Sequence, residues 1–110
     1  MKDDPVERQV DAYNRHDLDG FLDCYAPETE IEDAVGGTLM RGQAAMRGAY
    51  DDLFRESPAL HVEIRTRIRI GDYVIDEEIV SGRRGSSEDV RVVVVYHLTA
   101  GLIDHVRMIR

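Results

Sequence analysis

The chain has 110 residues, 43% hydrophobic and 33% charged, with a net charge of −8. That size supports one domain over residues 1–110, with a single core and room for one small pocket, and the composition excludes a disordered or fibrous chain. The acidic balance argues against nucleic acid as a partner, no apolar run reaches the roughly 18 residues of a membrane span, and the polar start MKDDPVERQ is unlike a secretion signal, so a cytoplasmic location is expected.

Asp4-Pro5-Val6-Glu7 has the residues of a helix start, with Asp4 as N-cap and proline at the first helical position. Val6, Val10 and Tyr13 form one stripe of a helix ending near 14–16. Asp17 caps a second, short helix whose apolar face is Leu18, Phe21, Leu22 and Tyr25, stopped by Ala26-Pro27. The lone Cys24 lies on that face and reads as a buried small hydrophobe. A strand ending near Asp33 turns at Gly36-Gly37 into a short return strand over 38–41.

Alternation places Ile31 and Asp33 on one face and Glu30 and Glu32 on the other, so Asp33 is expected to point inward with its apolar neighbour. An inward carboxylate in a cleft is a candidate general base. Its competing role is to brace the Gly36-Gly37 turn through a backbone hydrogen bond.

A third helix over 43–54 presents Met46, Ala49, Tyr50, Leu53 and Phe54, and Ser57-Pro58 stops it. From His61 the period becomes two: Val62, Ile64, Thr66, Ile68 and Ile70 alternate with charged residues. In the next strand Tyr73, Ile75, Glu77 and Ile79 carry the heavier apolar load, so Glu77 is expected inward as a second acid. The strand over 90–98 contains Val92-Val93-Val94-Val95 and is expected to be buried on both faces, and 102–110 closes the last hairpin. Helices with a short hairpin among them, then four long antiparallel strands, define the α+β class.

The four histidines show no metal-ligand spacing, and no residue pattern fits a nucleophilic triad or a phosphate cradle. No cofactor and no metal are expected. His97 and His105 are placed on the outer sheet face with Arg65, Arg67, Arg69, Arg91 and Arg107, opposite Asp76 and Glu78, which reads as a dimer interface with ion pairs.

In element order, and most closely from Asp17 to Tyr50 through DLDGFLDCY, YAPETEIEDAVGG and RGQAAMRGAY, the chain resembles the nuclear transport factor 2-like superfamily, and within it the ketosteroid isomerases and SnoaL-like polyketide cyclases. The resemblance implies a cystatin-like cone, with three N-terminal helices packed in the concave face of a curved, mixed, mostly antiparallel sheet, and homodimers paired through that sheet. It also implies Asp33 as general base beside a pocket lined by Tyr25 and Tyr50. Ketosteroid isomerases stabilise the enolate oxygen with a tyrosine and a protonated aspartate. Gln9 and Val94 stand at those two positions here, so the oxyanion hole is missing, with Tyr13 or a protonated Glu77 as replacement donors. The expected function is a small-molecule enzyme of isomerase, cyclase or lyase type, with Asp33 catalytic and Tyr13, Tyr25, Tyr50, Glu77, Val94, Tyr96, Val106 and Met108 binding an apolar ligand. The alternatives are a non-catalytic carrier of such a ligand and a dimerisation module with a vestigial pocket.

Overall fold

Helix α1 (Pro5–Asn14) starts where the Asp-Pro pair places it: Asp4 is extended and its side chain accepts from the N–H of Val6 at 3.0 Å. The computed structural model describes residues 4–110. Asp17 caps α2 (Leu18–Leu22) in the same way through Gly20, but the helix stops well before the proline. Tyr25, expected on that helix, opens strand β1 (Tyr25–Glu32) instead. Pro27 is tolerated there because pairing with β6 is irregular between Tyr25 and Glu30, so no ladder donor is lost.

Strand β2 (Thr38–Arg41) returns along β1, and α3 (Gly42–Glu56) follows. Gln43 donates from Nε2 to the carbonyls of Leu22 and Tyr25, both at 2.9 Å, which fixes the start of α3 against α2 and β1. Strands β3 (His61–Ile70), β4 (Tyr73–Ser81), β5 (Val90–Thr99) and β6 (Leu102–Ile109) complete a six-stranded sheet in the order β2-β1-β6-β5-β4-β3. All neighbours are antiparallel except β1 and β6, giving a mixed α+β fold with an open sheet. No helix among the described residues is long and apolar enough to cross a membrane.

The core lies between the helices and one face of the sheet. Phe21, 1% exposed, is its hub, with ring centroids 4.6 Å from Tyr50, 5.0 Å from Tyr25 and 5.9 Å from Tyr13. These tilted pairs suit the quadrupoles of aromatic rings. Cys24 is buried beside them, as its apolar neighbours suggested.

Two expectations about strand faces are overturned. In β3 the register slips between Ile64 and Thr66, so Arg65 is an extra residue. Because side chains alternate with period two, one extra residue exchanges the faces. Val62 and Ile64 therefore face inward, but beyond the bulge Arg67 and Arg69 do, while Ile68 and Ile70 face outward and are 53% and 66% exposed. In β4 the buried row is Val74, Asp76, Glu78, so Glu77 is not the inward acid. It lies on the outer face, accepting from Thr66 Oγ1 at 3.0 Å and Arg91 Nε at 2.8 Å. Strand β5, expected to be buried on both faces, alternates: Val92, Val94 and Tyr96 are buried, Val93 and Val95 half-buried.

Removing the hub ring leaves an unfilled hole among four other aromatics. Phe21→Ala is expected to cost about 3–5 kcal/mol of stability in urea unfolding; a loss below about 1 kcal/mol would show that the aromatic cluster does not organise the core.

Candidate functional site

A cavity of about 300 Å³ opens at one end of the core, between the three helices and the inner sheet face. Val10, Phe21, Ile31, Leu53, Val62 and Val92 give it apolar walls. Tyr13, Tyr25, Tyr50, Tyr96, Gln9 and Glu78 supply its interior polar groups, and Arg83, Arg84 and Arg110 complete the wall.

Four of the interior groups form a directional chain. Tyr25 Oη donates to Gln9 Oε1 at 3.1 Å, Gln9 Nε2 donates to Tyr96 Oη at 3.1 Å, and Tyr96 Oη donates to Glu78 Oε2 at 3.2 Å. Gln9 Nε2 is also held by the carbonyl of Val6, one turn back on α1. The chain orients the Glu78 carboxylate and leaves its Oε1 without a hydrogen-bond partner among the described residues.

Glu78 is 8% exposed, and its pKa is pushed up to about 7, first by burial and then by the nearby negative charge of Asp76; the Tyr96 hydrogen bond and Arg67 act the other way. Asp76 is fully buried but paired, taking Arg67 Nε at 2.7 Å and Nη2 at 2.8 Å in a bidentate ion pair. Burial also raises the tyrosines: Tyr50 to about 12, Tyr13 further, and Tyr25 and Tyr96 well above the ordinary phenol value. All four therefore stay protonated near neutral pH and serve as hydrogen-bond donors. The hydroxyls of Tyr13 and Tyr50 make no hydrogen bond to another described residue, so both are free to donate into the cavity.

Of the residues expected to bind a ligand, Tyr13, Tyr25, Tyr50, Tyr96, Val106 and Met108 all line the cavity. Val94 is buried but lies outside the lining, and Glu77 is on the opposite side of the sheet.

Asp33 does not face the cavity. Strand β1 ends at Glu32, and Asp33 Oδ1 accepts from the N–H of Val35 at 3.0 Å and of Gly37 at 2.9 Å, while its own N–H donates to Gly37 O at 2.8 Å. Gly36 has φ +89°, and a Cβ on Gly37 would meet Asp33 Oδ2 at 2.8 Å, so the side chain closes this turn. The alternation argument fails because the extended segment stops one residue too early.

Gln9, Glu78 and the three arginines were not among the expected site residues. Glu78 was one position from discovery, in the β4 row with the lighter apolar load. The arginines sit in a turn (Arg83–Gly85) and at Arg110, where no periodicity operates.

Away from the cavity, Glu30, Glu32 and His105 bring possible ligand atoms within 4.8 Å of one another on the outer sheet face. One oxygen of each carboxylate is already engaged: Glu30 Oε2 with Thr38 and Arg41, Glu32 Oε1 with His105 and Arg107. The group reads as an ion-pair network.

The profile of the SnoaL-like domain family matches residues 6–106. The chain belongs to the SnoaL-like domain family. With it comes membership of the nuclear transport factor 2-like superfamily. Among solved structures, this SnoaL-like domain is similar to an uncharacterized cystatin fold protein from Novosphingobium aromaticivorans, with TM-score 0.87 and 24% identity over 96% of this chain and 95% of the other. It is also similar to a putative polyketide cyclase from Sinorhizobium meliloti, with TM-score 0.81 and 21% identity over 97% and 94% of the two chains. A third is a hypothetical protein with ketosteroid isomerase-like fold from Catenulispora acidiphila, in complex with trimethylamine, with TM-score 0.76 and 20% identity over 98% and 85%. At these identities the likeness establishes the fold alone.

The raised pKa of Glu78 has a measurable consequence for stability. Between its ordinary value of 4.5 and about 7 the folded state holds a proton that the unfolded chain has released, so this residue's contribution to stability falls as pH rises through that window. The stability difference between Glu78→Gln and the parent should shift in the variant's favour by about 3 kcal/mol between pH 4 and pH 8, read by urea unfolding at both pH values. A pH-independent difference would place Glu78 in water.

Proposed function

We propose that this SnoaL-like domain is a small-molecule enzyme of isomerase, cyclase or lyase type that moves a proton at a carbon beside a carbonyl, with Glu78 as the base. The observation that carries this reading is a nearly buried carboxylate, held by Tyr96 yet with one oxygen free, in an apolar cavity with no cation paired to it. A base with a pKa near 7 is ionised enough to accept a proton and basic enough to pull it.

In this mechanism Glu78 Oε1 takes the proton, the C–H electron pair moves into the bond toward the carbonyl carbon, and the carbonyl oxygen gains negative charge. Tyr13 and Tyr50, whose hydroxyls have no acceptor among the described residues, donate to that oxygen. They fill the role left by the missing tyrosine and aspartate positions at Gln9 and Val94. The protonated Glu78 then returns its proton to the same carbon or, where a conjugated double bond extends the enolate, to the carbon two positions further along, and the carbonyl re-forms. Tyr25, Gln9 and Tyr96 act as positioning residues that fix the carboxylate. Asp33 has no part in this scheme, because its carboxylate is occupied in the turn.

Deuterium exchange at the α-carbon of 2-tetralone tests the assignment. Glu78→Gln is expected to slow enzyme-dependent exchange by about 10²–10⁴-fold with folding intact, while Asp33→Asn leaves the rate within a few-fold of the parent. The reverse pattern would return the base to Asp33. Binding of the ketone without exchange would favour the carrier reading, which gains support from the internal hydrogen bonding of Tyr25, Gln9 and Tyr96.

The domain is further proposed to pair through the outer sheet face. Ile68, Ile70, Tyr73 and Ile109 are 53%, 66%, 47% and 40% exposed there, beside Ile75, Val93 and Val95, an apolar surface unusual for a monomer. The ion pairs expected across this interface do not include Arg67, Arg69, Asp76 or Glu78, which face inward. Ile70→Glu is expected to convert a dimer to a monomer in sedimentation velocity without loss of secondary structure; a parent that sediments as a monomer at all concentrations would end the proposal.

A further inference from the structure

The cavity wall carries charges of both signs, Glu78 on one hand and arginines on the other. Arg83 and Arg110 both line it, and neither guanidinium makes a hydrogen bond or ion pair with a described residue. Arg83 is half-buried, whereas Arg110 is exposed. Arg84, the third arginine of the wall, is spoken for: its Nε donates to Glu56 Oε1 at 2.7 Å.

The turn that presents Arg83 is fixed to the body of the protein. Gly82 has φ +73°, and any Cβ there would lie 2.2 Å from the carbonyl oxygen of Ala59. The N–H of Arg84 donates to the buried Ser57 Oγ at 2.8 Å. Two cations on the cavity wall without a hydrogen-bond or ion-pair partner among the described residues are unexpected in a chain of net charge −8, where acids to neutralise them are plentiful.

The charges of Arg83, Arg110 and Glu78 all reach Tyr13 and Tyr50. Tyr13 and Tyr50 therefore share one cavity wall with charges of both signs. A ligand that carries a negative group is oriented by both: attracted at the arginines and repelled from Glu78.

We infer that the ligand of this cavity is an amphiphilic small molecule, an apolar ring or chain bearing one carboxylate or phosphate head group, with the head group held by Arg83 and Arg110 and the body lying across Tyr13 and Tyr50 toward Glu78. This rests on the cavity being a small-molecule site, as proposed above, but not on Glu78 being a base. Guanidinium groups suit either head group because their planar fork matches two oxygens at once.

Isothermal titration with 2-naphthoate, 2-naphthyl phosphate and the neutral 2-naphthamide tests it on the intact protein. At least one anion is expected to bind about 10-fold or more tightly than the amide, and the stronger of the two identifies the head group. The double variant Arg83→Gln, Arg110→Gln should abolish that preference, and Glu78→Gln should preserve it. Equal binding of anions and amide, a preference that survives in the double variant, or no binding of either anion up to its solubility would each overturn the inference. A preference that persists in Glu78→Gln alongside unaltered deuterium exchange would instead sink the proton-transfer reading and leave this one standing.

Discussion

The bidentate pair between Arg67 and Asp76 decides the chemistry of the interior. Asp76 and Glu78 lie two residues apart on β4, so the pleat turns both carboxylates to the core. Two adjacent buried anions are untenable unless at least one is neutralised. The bulge at Arg65 brings Arg67 to the inner face directly opposite Asp76, whereas the cross-strand partners of Glu78 are Ile64 and Val92. One acid receives a cation and the other receives hydrocarbon. Without the extra residue in β3, Arg67 would lie on the outer surface and neither acid would be paired.

The remaining parts of the site follow from that asymmetry. A carboxylate among apolar neighbours holds its proton near neutral pH, and it needs a fixed orientation if it is to exchange that proton productively. The chain of Tyr25, Gln9 and Tyr96 provides this by joining the first helix, β1 and β5 to the acid on β4. Gln9 is well suited to the middle of the chain because its amide accepts at one atom and donates at the other. The glutamine that replaces an expected tyrosine thus contributes to holding the acid in place instead of to stabilising an oxyanion.

Much of this architecture could be read from the residues. Asp4-Pro5 and Asp17 marked helix starts through capping chemistry, Ser57-Pro58 marked a stop, and six of the eight expected ligand-binding residues line the cavity, four of them tyrosines on the core faces of helices and strands. The failures have separate causes, and the first is the choice of face. Period-two reasoning tells which side chains share a face but not which face is the core, and this sheet is apolar on both sides. Tyr73, Ile75 and Ile79 outweigh Val74 and Val80 in bulk, yet they cover the outer surface, so Glu77 was chosen where Glu78 belonged. The bulge in β3 has no signature in its run of alternating isoleucines and arginines. Asp33 lay at the limit of its strand, where a short polar side chain finds closer partners in its own turn than in the core.

The arrangement of the tyrosines gives the protein an intrinsic optical probe. The sequence has five tyrosines and no tryptophan, and Tyr13, Tyr25, Tyr50 and Tyr96 all face the cavity. Near-ultraviolet absorption and emission from this chain therefore originate largely from the wall of one chamber, without a stronger chromophore elsewhere to mask them. An occupant entering or leaving that chamber changes the polarity around most of the emitting phenols at once, so filling can be followed by light on the unlabelled molecule.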